Sequence, residues 1–315
     1  MTAETKTIPM FPVSADEVRH VVSFSGGAGS WAAAKRVAER VPREQLTLLF
    51  ADTLIEDQDT YRVLLEGAAN VLGLPRPELL TKAVLDLPEL STDDPHCVER
   101  KECLAIVRSA AAWQIPGLVW IAEGRHPWEV FEDRRFIGNS SVDPCSRILK
   151  REFMDAWRDS NCTPDACVMY VGIDWSEKHR LARMLPLVAP WRYEAPLCEP
   201  PYMTKCGVLD WMRSECIEPS RGYALGFPHD NCGGFCCKAG IAHFAQLYRV
   251  RRSVFDWHEW WEQRLRSQVG DYSMLTDRRG GTKKPLTLSA LRERIESGEQ
   301  FGSEEWGGCG CALAG

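Results

Sequence analysis

Thirteen cysteines in a chain of 315 residues set the first chemical question. Thiols act as soft metal ligands, nucleophiles or redox pairs, and the spacing separates these roles. Cys145 opens the segment "DPCSRILKRE" at the start of a predicted helix, with Arg147, Lys150 and Arg151 close by at helical spacing. A helix start beside cations lowers a thiol's pKa, which suits a thiolate ligand or a nucleophile, with Lys150 as the catalytic cation. A half-buried cysteine on a solvated basic helix is the plainer alternative. Cys232, Cys236 and Cys237 cluster in "GFPHDNCGGFCCKAG", and Cys309 and Cys311 stand in "GGCGC" near the end. The other seven, Cys97, Cys103, Cys162, Cys167, Cys198, Cys206 and Cys216, belong to no motif and default to structural thiols.

A second constellation is "SFSGGAGS", Ser23 to Ser30. Gly26, Gly27 and Gly29 permit a tight turn, Ser23, Ser25 and Ser30 supply hydroxyl groups, and an amphipathic pattern begins directly afterwards. A glycine turn feeding a helix start offers unpaired N–H groups and a positive dipole end to an anion, so the expected ligand is phosphate. The pattern is neither a Walker loop, which needs G-K-[ST], nor G-x-G-x-x-G.

Other polar groups follow apolar runs. Arg125, His126, Arg134 and Arg135 come after "GLVWIAEG", and Arg125 is expected to bind phosphate or sulfate of the substrate. Asp174, Glu177 and Arg180 follow "VMYVGID" and line the same crevice or simply start a surface helix. "HEWWE" lacks the second histidine of a zinc-protease motif and reads as core packing, while "DRRGGTKK" reads as an exposed basic loop.

The elements that must position these groups alternate. "HVVSFS", "LTLLFAD", "GLVWIAEG" and "VMYVGID" are buried strands, and helices are predicted over Ser30 to Val41, Thr60 to Leu72, Val98 to Ala112 and Ser146 to Trp157. Apolar strands alternating with amphipathic helices imply a parallel sheet covered on both faces. The expected fold is α/β: a tail over 1–18, a doubly wound domain over 19–185, and a cysteine-rich, helical and loop appendage over 186–315.

Composition narrows the function. A net charge of −6, from 38 basic and 44 acidic residues, argues against a generally basic nucleic-acid binder. No apolar run approaches the roughly 20 residues of a membrane helix. The N-terminus carries acidic residues and prolines rather than the features of a secretory signal, so the expected compartment is the reducing cytoplasm, with no membrane partner.

The loop pattern S-G-G-x-x-S resembles the PP-loop of the ATP pyrophosphatase, or adenine nucleotide alpha hydrolase, superfamily, whose members bind ATP or an adenylyl sulfate. Tyr193 to Gly240 resembles the corresponding stretch of phosphoadenosine phosphosulfate reductase-like proteins. Pro196 and Leu197, Thr204, and Gly226 with Phe227 match its motifs in order, before the clustered cysteines. The resemblance covers roughly Val21 to Gly240 and implies an adenine nucleotide as ligand. Many ATP-using members carry an aspartate before the second serine to help hold Mg2+. Here Ala28 and Gly29 stand instead, so either Asp52 substitutes or no magnesium is needed. In the iron–sulfur members, matching cysteines hold a four-iron four-sulfur cluster, which implies Cys145, Cys232, Cys236 and Cys237 as ligands, with zinc the competing metal. The chain departs from that pattern in having one cysteine at the first site and C-x-x-x-C-C at the second. Sulfonucleotide reductases also carry a near-terminal catalytic cysteine. Cys309 or Cys311 takes that place by resemblance, although the family's ending is missing and a metal-ligand or redox-pair role is equally open.

The resemblance therefore implies a PP-loop enzyme that uses ATP to adenylate a substrate, releases pyrophosphate and passes on sulfur from a donor. The alternatives are thiol-dependent reduction of an adenylyl sulfate with a thioredoxin-like reductant, and a non-catalytic nucleotide sensor in a larger complex. The acceptor, whether nucleic acid or small metabolite, is left open.

Overall fold

The structure, a computed structural model, describes residues 18–229 and 232–307. Five strands form one parallel sheet: β1 (Arg19–Ser23), β2 (Leu46–Asp52), β3 (Leu118–Ala122), β4 (Cys167–Tyr170) and β5 (Arg192–Glu194), in the order β3-β2-β1-β4-β5. The period of two along each strand divides the side chains between two cores. Val22, Leu48, Phe50, Trp120 and Tyr170 face one layer, and Val21, Leu49, Ala51, Val119 and Met169 face the other. Both faces are buried, which is why β2 reads as an unbroken apolar run and every one of its residues is inaccessible.

The first face is covered by α1 (Ala28–Ala38), α2 (Gln58–Val71), α3 (Glu78–Leu85) and α4 (Val98–Gln114). After β3 come α5 (Pro127–Arg134) and a composite helix of three parts: α6 (Pro144–Ser146), a π-helical turn over Arg147–Glu152, and α7 (Phe153–Asn161). Phe153, Met154 and Trp157 of α7 pack on the second face. The sheet is thus wound on both sides, as expected.

Past β4, α8 (Lys178–Met184) leads to β5, which lies beyond the boundary expected at residue 185. The next segment also belongs to the sheet's core. In α9 (Lys205–Ser214), Val208 and Met212 join the first-face cluster together with Leu197 and Ile217. Arg36 of α1, only 5% exposed, fixes this segment by donating to the carbonyls of Pro196, Glu199 and Pro201. A three-residue strand, Arg192–Glu194, with charged residues at both ends and a proline-rich connection around it, gave no period from which to anticipate this fifth strand.

The remainder comprises α10 (Arg221–Ala224), α11 (Ile241–Val250), α12 (Arg252–Val269), the antiparallel pair β6 (Leu275–Asp277) and β7 (Lys284–Leu286), and α13 (Leu288–Glu296). It shares one core with α5 and the composite helix: Trp128, Phe131 and Leu149 pack with Phe235, Phe244, Trp257 and Trp261. "HEWWE" is indeed core. His258 stacks on Phe235 at 3.9 Å and accepts a hydrogen bond from Trp128 Nε1. No helix among the described residues is long and apolar enough to cross a membrane.

Candidate functional site

The chain winds outward from β1 to β2 and β3, then crosses back to place β4 and β5 on the other side of β1. Neighbouring strands that feed connections in opposite directions leave a crevice at their carboxyl ends, the usual ligand site of open α/β sheets. A cavity of about 1180 Å³ occupies that position, lined by Ser23 at the end of β1, by Ser25, Gly27, Gly29 and Ser30 beyond it, and by Gly172, Ile173 and Asp174 after β4.

The glycine loop is locked internally. Ser25 Oγ lies 3.2 Å from Ser30 Oγ, the Ser25 N–H donates to Ser30 Oγ at 3.1 Å, and Ser30 Oγ donates to the Gly27 carbonyl at 2.9 Å. Gly26 has φ +75°, and a Cβ there would lie 3.0 Å from the Thr60 carbonyl oxygen. Its part is to shape the turn; it does not line the cavity. Gly172 permits the closest approach between strand and loop, since a Cβ on it would sit 2.9 Å from the Ser30 nitrogen. The N-cap of α1, Gly27, has no capping side chain, so the first turn of this eleven-residue helix presents its N–H groups to the cavity side.

Two expected nucleotide ligands are placed elsewhere. Asp52 is fully buried and turned into the first-face core, where its carboxylate accepts from Tyr61 Oη (2.7 Å), the Leu54 N–H (2.7 Å) and Trp120 Nε1 (3.0 Å). Burial raises its pKa despite these donors. The side chain braces the end of β2 and does not line the cavity, so its expected role as a magnesium ligand is corrected. The carboxylates that do line it are Asp155, Asp174 and Glu177. Arg125 is likewise corrected: it is engaged by Glu123 and by Asp133 at 2.6 Å, outside the cavity lining. His126 is buried as the capping residue of α5, and Arg134 and Arg135 are exposed.

The cysteines at 145, 232, 236 and 237 come together. All four are buried and line one small pocket, with Thr53, Asp143, Lys150 and Lys238 also on its walls. Cys145 Sγ and Cys237 Sγ are 3.6 Å apart. The Cys237 thiol's hydrogen bond holds the Cys145 pKa below the usual thiol range against the opposing effect of burial. Residues 87 or more positions apart in sequence meet here because the 232–237 turn packs onto β2's connection to α2; a Cβ on Gly233 would fall 2.4 Å from the Ile55 carbonyl oxygen. Cys309 and Cys311 lie outside the described residues.

Lys150 sits in the π-helical turn, a geometry that recurs at functional sites. Its Nζ is 3.4 Å from Glu56 Oε1 and 3.7 Å from Cys232 Sγ. Lys238 lies 3.7 Å from Asp143, which also pairs with Arg151. Lys150 and Lys238 line both the large cavity and the cysteine pocket, so the two spaces share a wall of two ammonium groups. Glu56, Asp143 and Lys238 were not singled out by the sequence reading. Lys238 directly follows the Cys236–Cys237 pair, a linear signal that was present; Glu56 gave none. Neither a protein-family model nor a curated protein matches the chain.

Proposed function

We propose that this chain is a PP-loop enzyme, similar to the phosphoadenosine phosphosulfate reductase-like proteins, that binds ATP and adenylates a substrate for sulfur transfer. The observation that carries this reading is the shared wall: Lys150 and Lys238 border both the phosphate-type loop cavity and the four-cysteine pocket. A nucleotide site alone needs no such neighbour, and a structural metal site alone needs no access to a nucleotide.

In this reading the loop and the first turn of α1 receive the triphosphate, and Lys150, Arg151 and Lys238 offset charge that develops on it. A substrate oxygen attacks the α-phosphorus, the bond to the bridging oxygen breaks, and pyrophosphate leaves with the electron pair. A sulfur donor then displaces AMP. Mg2+ would ride on the triphosphate, with Asp174 the cavity-wall carboxylate that has no ion-pair partner within 4 Å among the described residues. The cysteine set fits an iron–sulfur cluster in donor chemistry: four buried sulfurs face one pocket, and two lysines there balance thiolate charge. When bound, such a cluster supplies electrons or a soft site for sulfur.

The test is pyrophosphate release by the full chain, purified anaerobically and given ATP and Mg2+. Release that is lost in Ser25→Ala supports the reading. Sulfite release from adenylyl sulfate instead would move the assignment to a reductase, and nucleotide binding with neither product would leave a sensor.

A further inference from the structure

The outer wall of the cavity carries features that a bound mononucleotide does not require. Its volume, about 1180 Å³, exceeds the ~300–1,000 Å³ range of small-molecule sites, so it has room for a second reactant. At its rim Trp175 and Tyr202 are 46% and 58% exposed, with ring centroids 5.9 Å apart. The indole is held in place, because Trp175 Nε1 donates to the Met203 carbonyl at 3.0 Å. Neither ring lines the cavity, but their neighbours Asp174 and Met203 do, which sets the aromatic pair on its lip.

The rim carries more cations than carboxylates: Lys178, Arg180, Arg183 and Lys205 stand against Asp174 and Glu177, which flank Trp175. α8 has the sequence KHRLARM, with no acidic residue. Arg180 is taken by Glu177. Lys178, Arg183 and Lys205 have no carboxylate within 4 Å among the described residues, on a chain in which most arginines are ion-paired. Arg183 and Lys205 line the cavity. A chain of net charge −6 thus places Lys178 and Arg183, with no carboxylate within 4 Å among the described residues, and Lys205, whose ammonium lies 4.6 Å over the Tyr223 ring, beside an exposed aromatic pair at the mouth of its candidate site.

We propose that this rim binds single-stranded nucleic acid, with bases stacked on Trp175 and Tyr202, phosphates on Lys178, Arg183 and Lys205, and one nucleotide unit directed into the cavity. Stacking on aromatic faces combined with cations along the backbone is the physical basis of single-strand binding. An acidic peptide satisfies the cations but leaves both ring faces in water, and a duplex hides its base faces. As the identity of the acceptor, the inference rests on the adenylation reading; as a binding site, it stands without it.

The experiment is fluorescence anisotropy of the full chain with labelled 12-nucleotide single strands, DNA and RNA in separate arms, with the matching duplex and polyglutamate for comparison. The expected result is preference for single strands over duplex and polyglutamate. The affinity should fall at least tenfold in the Trp175→Ala, Tyr202→Ala double variant and recover in Trp175→Phe, Tyr202→Phe. The salt slope should shrink by about 0.7 in Arg183→Ala. Equal binding of polyglutamate, indifference to the aromatic double variant, or no single-strand binding at low salt overturns the proposal. ATP binding is measured on the same variants. Single-strand binding by a protein that binds no ATP sinks the adenylation reading and leaves this one, while ATP binding without single-strand binding does the reverse. The DNA and RNA arms decide which backbone is preferred.

Discussion

The Lys150 ammonium stands 3.7 Å from the Cys232 sulfur, reaching it across 82 residues of sequence, and 3.4 Å from the Glu56 carboxylate. In the proposed reaction this cation, on the wall of the loop-lined cavity, would offset charge that develops on a bound phosphate. Lys150→Met keeps most of the volume and removes the charge. Pyrophosphate release should drop about 10²–10³-fold, the scale of losing one stabilising donor, with a much smaller change in nucleotide affinity. Steady-state kinetics beside equilibrium nucleotide titration measure the two effects separately.

Cys145 and Cys237 test the sulfur pocket. Anaerobically purified protein should be coloured and contain iron, and Cys145→Ser or Cys237→Ser should lose most of it. An absorbance spectrum with metal analysis decides this. Colourless, iron-free wild-type protein would remove the cluster from the account, and zinc in its place would assign the pocket a structural metal.

Gly172→Ala should damage the loop from the opposite strand. The added Cβ meets the backbone of Ser30 at 2.9 Å and of Gly29 at 3.0 Å, and backbone cannot swing aside. A stability loss of ~1–3 kcal/mol and a clear loss of nucleotide affinity are expected. Gly207→Ala, whose nearest contact is an ordinary 3.5 Å inside α9, should be neutral or stabilising in the same denaturant titration.

Asp52 separates bracing from metal binding. Asp52→Ala leaves the Tyr61 hydroxyl and the Trp120 indole N–H without their buried acceptor and should destabilise the fold by ~2 kcal/mol or more. The magnesium dependence of any pyrophosphate release should be unchanged in Asp52→Asn. A changed magnesium requirement in that variant would return Asp52 to the site.

Glu262 makes stability depend on pH. Its carboxyl is fully buried in α12 and accepts from the N–H groups of Leu288 (2.6 Å) and Met274 (3.5 Å), fastening α13 and the β6–β7 segment to the core. Burial pushes its pKa up from 4.5 to about 7. The folded state therefore binds the proton more tightly than the unfolded chain. The contribution is fully present below about 4.5 and is lost as pH rises through about 7. His126 acts in the opposite sense: burial lowers its pKa from 6.5 to about 3, so its contribution is present above 6.5 and fades as pH falls. The stability difference between wild type and Glu262→Gln, read from urea unfolding at pH 5 and pH 8, should shrink at the higher pH by up to about 3 kcal/mol.

What the sequence determined by itself was local. The four principal strands and the helices after them were legible because a buried parallel strand needs an unbroken apolar run and a covering helix needs a 3.6-residue stripe. The turn between β1 and α1 was legible because Ser25, Gly26 and Gly27 are the small residues that a tight strand-to-helix connection requires. The cysteine set was legible as a resemblance, without a distance. Tertiary structure decided the rest. Whether Asp52 faces ligand or core depends on which side of β2 meets Tyr61 and Trp120, and no spacing rule contains that. β5 was missed because three residues carry no period; its place comes from pairing with β4. The wall shared by Lys150 and Lys238 exists only because the 232–238 turn folds back onto the composite helix, joining residues that are 88 positions apart in sequence. Contacts of that range are selected by the packing of whole elements, so the chemistry of each side chain was readable in advance while its partners were not.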